Sequence, residues 1–235
     1  MTITLEIEIK RFDPERDEGP HWEAYEVEVD ETDRLLDALH QVRWHHDGSL
    51  AFRRSCAHGV CGSDAMVING QNRLACVLLV SDVGPRVRIE PLRGLPVLKD
   101  LVVNMEQFFA QYRSVMPWLV NGTVPADSRE RLQSPEQRAR YDDTTKCILC
   151  AACTTSCPIY WGNDTYVGPA AIVNAHRFIF DSRDDAADER LAILDERSGV
   201  WRCRTAFSCT DACPRDIKVT EAIEQVKRSI VNPAD

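Results

Sequence analysis

The chain has 235 residues, a formal net charge of −9 and ten cysteines. That length suits two domains with cores of their own, and the acidic balance argues against a nucleic-acid partner, which would require a basic face. No stretch approaches the roughly 20 apolar residues of a membrane-spanning helix, and the opening residues MTITLEIEIKRFDPERDEGP fit neither a secretory nor a transit peptide, so a reducing, cytoplasmic setting is expected for the thiols.

Ile3, Leu5, Ile7 and Ile9 alternate with polar residues, and Tyr25, Val27 and Val29 repeat the pattern after a polar connection from Asp13 to Pro20, which predicts two strands. Thr32 offers an N-cap, and Leu35, Leu36, Leu39 and Val42 recur at helical spacing, predicting a helix to about His45. Cys56 and Cys61 then open the C-x4-C-x2-C spacing of plant-type [2Fe–2S] proteins, with Asp64 where the next cysteine would stand and Cys76 as the distant member. Two readings follow: the Asp64 carboxylate replaces a thiolate as fourth ligand, or these are ordinary buried thiols without a cluster. Gly59 and Gly62 favour ligation, because a loop wrapped round a cluster brings backbone close to sulfur. AMVING reads as a strand ending in an Asn69-Gly70 turn, RLACVLLV as its return, and Val87 with Ile89 as a last short strand. A small mixed sheet crossed by one helix is expected.

From Leu92 to Val103 the text is apolar, punctuated by proline and glycine, and too irregular for a regular element. The domain join is placed there, giving domains 1–103 and 104–235. NMEQFFAQYRSV, SPEQRARYDD, PAAIVNAHRFIFDS, DAADERLAILDER and VTEAIEQVKRSIV predict a mainly helical second half. Within it CILCAACTTSCP carries Cys147, Cys150, Cys153 and Cys157 in the C-x2-C-x2-C-x3-C-P spacing of bacterial two-cluster ferredoxins, whose fourth thiolate serves the other cluster. RCRTAFSCTDACP repeats it at Cys203, Cys209 and Cys213, but with Ala206 where the middle cysteine belongs. Crossing the fourth ligands assigns Cys147, Cys150, Cys153 and Cys213 to a [4Fe–4S] cluster and leaves Cys157, Cys203 and Cys209 for the other. Alanine has no donor atom, so a [3Fe–4S] cluster is the expected occupant there. The alternative, structural zinc, usually takes two separated C-x2-C pairs in a tetrahedron. The three sets together use every cysteine. Among the histidines, His58 is read as lying outside the ligand set, His40, His45 and His46 as helix-end residues and His176 as packing or polar surface.

RRSCAHGVCGSDAMVINGQNRLAC, PLRGLPVLKDLVVNM, TKCILCAACTTSCPIYW, GPAAIVNAHRFIFDSRD and VWRCRTAFSCTDACP resemble the iron–sulfur subunit of succinate dehydrogenase, the succinate:quinone oxidoreductase. The resemblance implies an α+β chain: a β-grasp, plant-type [2Fe–2S] ferredoxin domain followed by a helical bacterial-type ferredoxin domain. It also implies a flavoprotein partner carrying FAD, one or two membrane-anchor subunits, and a peripheral place on the cytoplasmic face of a bacterial inner membrane, within the tricarboxylic acid cycle and respiratory chain. Electrons would pass from the flavin through [2Fe–2S], [4Fe–4S] and [3Fe–4S] to a quinone, with no catalytic acid, base or nucleophile in this subunit. Pro158, Ile159, Trp161, Arg204 and Lys227 match the quinone end, where CPIYWGN departs from the commoner CPSYWWN and Arg204 replaces a frequent histidine. Trp161 has a second reading as an aromatic packed on the anchor, and Lys227 as a solvated helix lysine. A menaquinol:fumarate reductase subunit is the alternative within the family. A soluble multi-cluster carrier, the alternative outside it, would leave MPWLV at Met116–Val120 as an exposed apolar patch.

Overall fold

The period-two alternation builds the strands it implies: β1 (Thr2–Arg11) pairs antiparallel with β2 (His21–Asp30), setting Ile3 opposite Val29 and Leu5 opposite Val27. The computed structural model describes residues 1–122, 125 and 130–232. Helix α1 (Leu35–Gln41) buries Leu35, Leu36, Ala38 and Leu39 in the core formed by Leu5, Ile7 and Ile9, then widens into a π-helical turn at Val42–His46. Its N-cap is Arg34 rather than Thr32. Thr32 instead donates from backbone and hydroxyl to Asp30, while the Asp37 carboxylate accepts the Arg34 N–H at 3.2 Å.

Strands β3 (Ala65–Ile68) and β4 (Gln71–Leu74) form the hairpin that Asn69-Gly70 signals, both turn residues having positive φ. The expected return strand RLACVLLV stops at Leu74. Ala75 and Cys76 turn away to donate to the Asp64 carbonyl and carboxylate, and α2 (Val80–Val83) uses the rest. Strand β5 (Arg86–Glu90) lies parallel to β1 and antiparallel to β3, so the mixed sheet runs β2-β1-β5-β3-β4.

The segment expected to be irregular instead contains a small hairpin, β6 (Val97–Lys99) and β7 (Val102–Val103), turning at Asp100 with φ 46°. Asp100 is buried and accepts from Arg11 Nε at 3.0 Å, Phe12 N at 3.0 Å and Ala51 N at 2.8 Å. Arg11 also donates to Glu23, Tyr25, Asp47 and Ser49. A buried carboxylate with three donors holds a backbone conformation that a non-glycine residue rarely adopts alone.

By internal contacts the chain forms two units, Met1–Met105 with Ile148–Ser156, and Glu106–Cys147 with Cys157–Asp235. A single cut after residue 103 does not foresee that residues 148–156, including α5 (Ala152–Thr155), belong with the first. Before them come α3 (Glu106–Ser114) and α4 (Pro135–Ala139), the latter opened by a reciprocal capping box between Ser134 and Gln137. The remainder of SPEQRARYDD leaves the helix, and a 3₁₀ turn at Asp143–Lys146 leads to Cys147. Then follow α6 (Pro158–Trp161), α7 (Gly168–Ile179), α8 (Ala187–Asp195), α9 (Ser208–Asp211) and α10 (Val219–Val231). Apolar α7 is the centre of the second unit, packed by α3, α8 and amphipathic α10.

A fully buried pair, Arg190 with Asp184 at 2.6 Å, pins the MPWLV segment: Arg190 donates to the carbonyls of Met116 at 3.0 Å and Trp118 at 2.7 Å. That backbone is fixed while the Trp118 side chain stays 51% exposed. Among the described residues no helix is long and apolar enough to cross a membrane.

Candidate metal centres

In the loop after α1, backbone amides converge on sulfur. His58 N and Val60 N each lie 3.4 Å from Cys56 Sγ, Cys61 N lies 3.3 Å from it, and Gly59 N donates to Cys76 Sγ at 3.3 Å. Amide hydrogens aimed at sulfur favour the thiolate, the form that binds metal. The amides of His58 and Val60 bring the Cys56 thiol down to about 6. Burial, then the neighbouring Asp64 carboxylate, pushes Cys76 up to about 12, so loading metal there releases a proton.

Asp64 is only 2% exposed. Its Oδ2 accepts the Cys76 N–H at 2.5 Å, and the carboxylate also lies beside the Cys76 thiol. Cys56, Cys61, Asp64 and Cys76 thus share one loop system whose chemistry fits a [2Fe–2S] cluster with one carboxylate ligand. His58 is exposed, with Nδ1 2.6 Å from the Cys56 carbonyl oxygen. Ser63 Oγ, 3.2 Å from Cys61 Sγ, is a neighbour the spacing did not reveal. Asp64→Ala is expected to lose most of this centre, about two irons per chain, whereas Asp64→Cys retains it. Iron analysis and the reduced electron paramagnetic resonance signal check this, and equal values in all three forms would remove Asp64 from the ligand set.

The same loop touches the first ferredoxin run. Gly62 has φ 69°, and a Cβ there would lie 2.5 Å from the Cys150 Cβ and 2.9 Å from its Cα. Asn72 on β4 donates to the Ala152 carbonyl at 2.9 Å and to Thr155 Oγ1 at 2.8 Å, holding α5 on the sheet. Cys150 and Cys153 therefore belong to the first unit, while Cys147 and Cys213 belong to the second. Asn174 on α7 lies 3.5 Å from Cys147 Sγ. The grouping of those four cysteines rests on their spacing.

The two runs have the same local backbone. Cys147 and Cys203 share φ −62° and ψ 126°. The residues two and four beyond each are left-handed: Leu149 at 55° and Ala151 at 63°, Thr205 at 55° and Phe207 at 61°. Each such non-glycine residue costs about 1–2 kcal/mol, so both loops are held in shape by what surrounds them. The second keeps its form although Ala206 stands where Cys150 stands in the first.

Cys157, Cys203, Cys209, Ala206, Pro158 and Ile159 line one recess in the second unit. Burial raises the Cys157 and Cys209 thiols, Thr205 N donates to Cys203 Sγ at 3.4 Å, and Thr220 Oγ1 lies 3.5 Å from Cys209 Sγ. Three sulfurs and a donorless corner fit a three-iron core. Of the residues expected at the quinone end, Arg204 also lines this recess, while Trp161 is exposed nearby in sequence and is not part of its wall. Lys227 is no solvated helix lysine: its side chain is 15% exposed and joins Glu224 at 2.8 Å and the Cys203 carbonyl at 3.4 Å. Phe207, unremarked in the sequence, is 54% exposed on the same loop.

No three His, Cys, Asp or Glu side chains among the described residues are gathered tightly enough for a single metal ion. A cluster's ligands stand farther apart, separated by its iron–sulfide core. The family model of the 2Fe-2S iron-sulfur cluster binding domain matches residues 6–110, and that of the 4Fe-4S dicluster domain matches residues 139–214. The succinate dehydrogenase iron-sulfur subunit of Coxiella burnetii is 45% identical over 230 residues, 97% of each chain. That of Paracoccus denitrificans is 42% identical over 226 residues, 95% of this chain and 87% of the relative. Among solved structures, a chain of the Mycobacterium smegmatis Sdh1 complex in the apo form matches with a TM-score of 0.88 at 26% identity, covering 100% of this chain and 98% of that one.

Proposed function

The chain belongs to the iron–sulfur subunits of succinate dehydrogenase, and from that premise we propose that it carries electrons singly from the FAD of a flavoprotein partner to a membrane quinone. The observation that carries the terminal assignment is the second cysteine loop, which keeps the backbone of the first around a recess where Ala206 supplies no ligand. When bound, the [2Fe–2S], [4Fe–4S] and [3Fe–4S] clusters supply one-electron carriers that divide the electron pair released by succinate oxidation.

Spacing and position together support the following tasks. Cys56, Cys61, Asp64 and Cys76 hold the first centre, Cys147, Cys150, Cys153 and Cys213 the second, and Cys157, Cys203 and Cys209 the third. Gly62 lets the loop of the first centre approach Cys150 closely, which shortens the route between them. Pro158, Ile159 and Arg204 wall the recess of the third centre, and Lys227 ties α10 to its loop through the Cys203 carbonyl. These features support a quinone site beside the third centre, with Trp161 available to it or to the anchor. Substrate chemistry stays on the flavoprotein. The subunit is peripheral, held on the cytoplasmic face by its anchor subunits, and the same wiring would serve fumarate reduction by menaquinol.

Electron paramagnetic resonance of the isolated complex, oxidised and then reduced, tests the reading. A three-iron signal in the oxidised sample and a [2Fe–2S] signal after reduction are expected, with the flavoprotein co-purifying. A colourless protein without iron would overturn it.

A further inference from the structure

We propose that the recess formed by the residues just after α4 and α7, Arg140 and Phe180, and the final turns of α10 binds a small phosphate-bearing anion. It has a volume of about 270 Å³ and is lined by Arg140, Phe180, Gln225, Arg228 and Ser229, all in the second unit and none in a cluster ligand set. The assignment is independent of the electron route.

The arginines are the first observation. Elsewhere in this unit Arg138, Arg183 and Arg190 each sit within 2.7 Å of a carboxylate, while Arg177, Arg204 and Arg215 enter no ion pair among the described residues; Arg140 and Arg228 stand apart in sharing one recess. Arg140 and Arg228 enter no ion pair among the described residues. Arg140 stacks on the Phe180 ring at 4.9 Å, and Arg228 spends only its Nε, on the Glu224 carbonyl at 3.3 Å. Two guanidinium groups with no carboxylate in ion-pair contact among the described residues, Arg228 acting on Glu224 only through space, are brought to one concavity of a chain whose net charge is −9.

The second observation is that the floor is built. Gln225 Oε1 is held by buried His176 through Nε2 at 2.6 Å, His176 Nδ1 lies 3.3 Å from Thr144 Oγ1, and its ring rests 4.5 Å from Phe180. The nearby acids are already opposed: Glu221 by Lys218 at 3.9 Å and Glu224 by Lys227 at 2.8 Å, with Gln225 Nε2 3.3 Å from Glu221. Two planar guanidinium forks plus the Ser229 hydroxyl offer more donors than the two oxygens of a carboxylate can use, whereas a phosphate's three oxygens suit them. The same group occurs on soluble phosphate esters and on phospholipid headgroups.

The test is calorimetric titration of the detergent-solubilised, cluster-loaded complex with inorganic phosphate, then with dihexanoyl phosphatidylglycerol below its micelle concentration. Phosphate should bind at one site per chain, at least tenfold more weakly in the Arg140→Ala/Arg228→Ala double variant, since charge-assisted bonds are lost. Arg86→Ala, in the other unit and paired with Glu6, should leave it unchanged. Tighter binding of the lipid analogue than of phosphate assigns the source to the membrane; the reverse order assigns it to a soluble ester. An unaltered oxidised three-iron signal, whose ligand residues Cys157, Cys203 and Cys209 lie in the same unit, shows that the variants are folded. Should the double variant lose its clusters, Arg228→Lys, which keeps the charge and loses the fork, is expected to weaken binding several-fold. No phosphate binding at concentrations up to about 10 mM, equal binding in the variants, or acetate binding as well as phosphate would overturn the proposal.

Discussion

Ala206→Cys is expected to turn the third centre from three irons into four. Because Cys203 and Cys147 share one backbone conformation, and the flanking residues repeat it, a thiolate at 206 would project as that of Cys150 does. Position 206 is exposed and lines the recess with Cys157, Cys203 and Cys209, so the added sulfur meets no packed neighbour that it must displace. Iron should rise by about one per chain, and the oxidised three-iron signal should vanish in favour of a reduced four-iron one. Cluster type and charge set the reduction potential, so electron delivery to quinone should slow by about tenfold or more, while dye reduction at the flavoprotein is kept. Unchanged iron and an unchanged oxidised spectrum would refute the placement of the third centre.

Gly62→Ala should be the most damaging single methyl group in the first unit. An alanine at φ 69° pays for a left-handed backbone, and its Cβ would stand 2.5 Å from the Cys150 Cβ and 2.9 Å from the Cα. Neither atom is the end of a flexible side chain, so one loop must move. Backbone strain of about 1–2 kcal/mol and overpacking of about 1–3 kcal/mol together suggest a loss of about 2–5 kcal/mol. The signals of the [2Fe–2S] and [4Fe–4S] centres should both decline, and the three-iron signal should persist. Gly70→Ala is the control: it has φ 81° but nothing within 4 Å of the added Cβ, so only the backbone term applies. Thermal unfolding of the two variants side by side measures the difference, and equal midpoints would show that the close approach to Cys150 has no energetic weight.

Much of this molecule could be read from short windows of text. The alternation in β1 and β2, the Asn69-Gly70 turn and the apolar faces of α7 and α10 all encode burial within a few residues of themselves, and each forms where its period says. Cysteine spacing works the same way, because most of a cluster's ligands come from one tight loop and the remaining one from a recognisable second run or distant cysteine. That is why the missing donor at Ala206 and the carboxylate at Asp64 stand out as letters before any fold is known. What no window contains is the partner supplied from far away. The hairpin at Val97–Val103 depends on Asp100 meeting Arg11, 89 residues distant, and RLACVLLV ceases to be a strand because Asp64 claims the amide of Cys76. The Met116–Trp118 turn waits on Arg190, and the pair of arginines around Phe180 comes from two helices with no motif in common. Residues 148–156 leave their neighbours in the chain for the first unit, since Asn72 can bond there and Gly62 leaves room for Cys150. Periodicity reports what a residue buries, whereas buried charges and bare glycine faces acquire meaning only when a distant group arrives to satisfy or fill them.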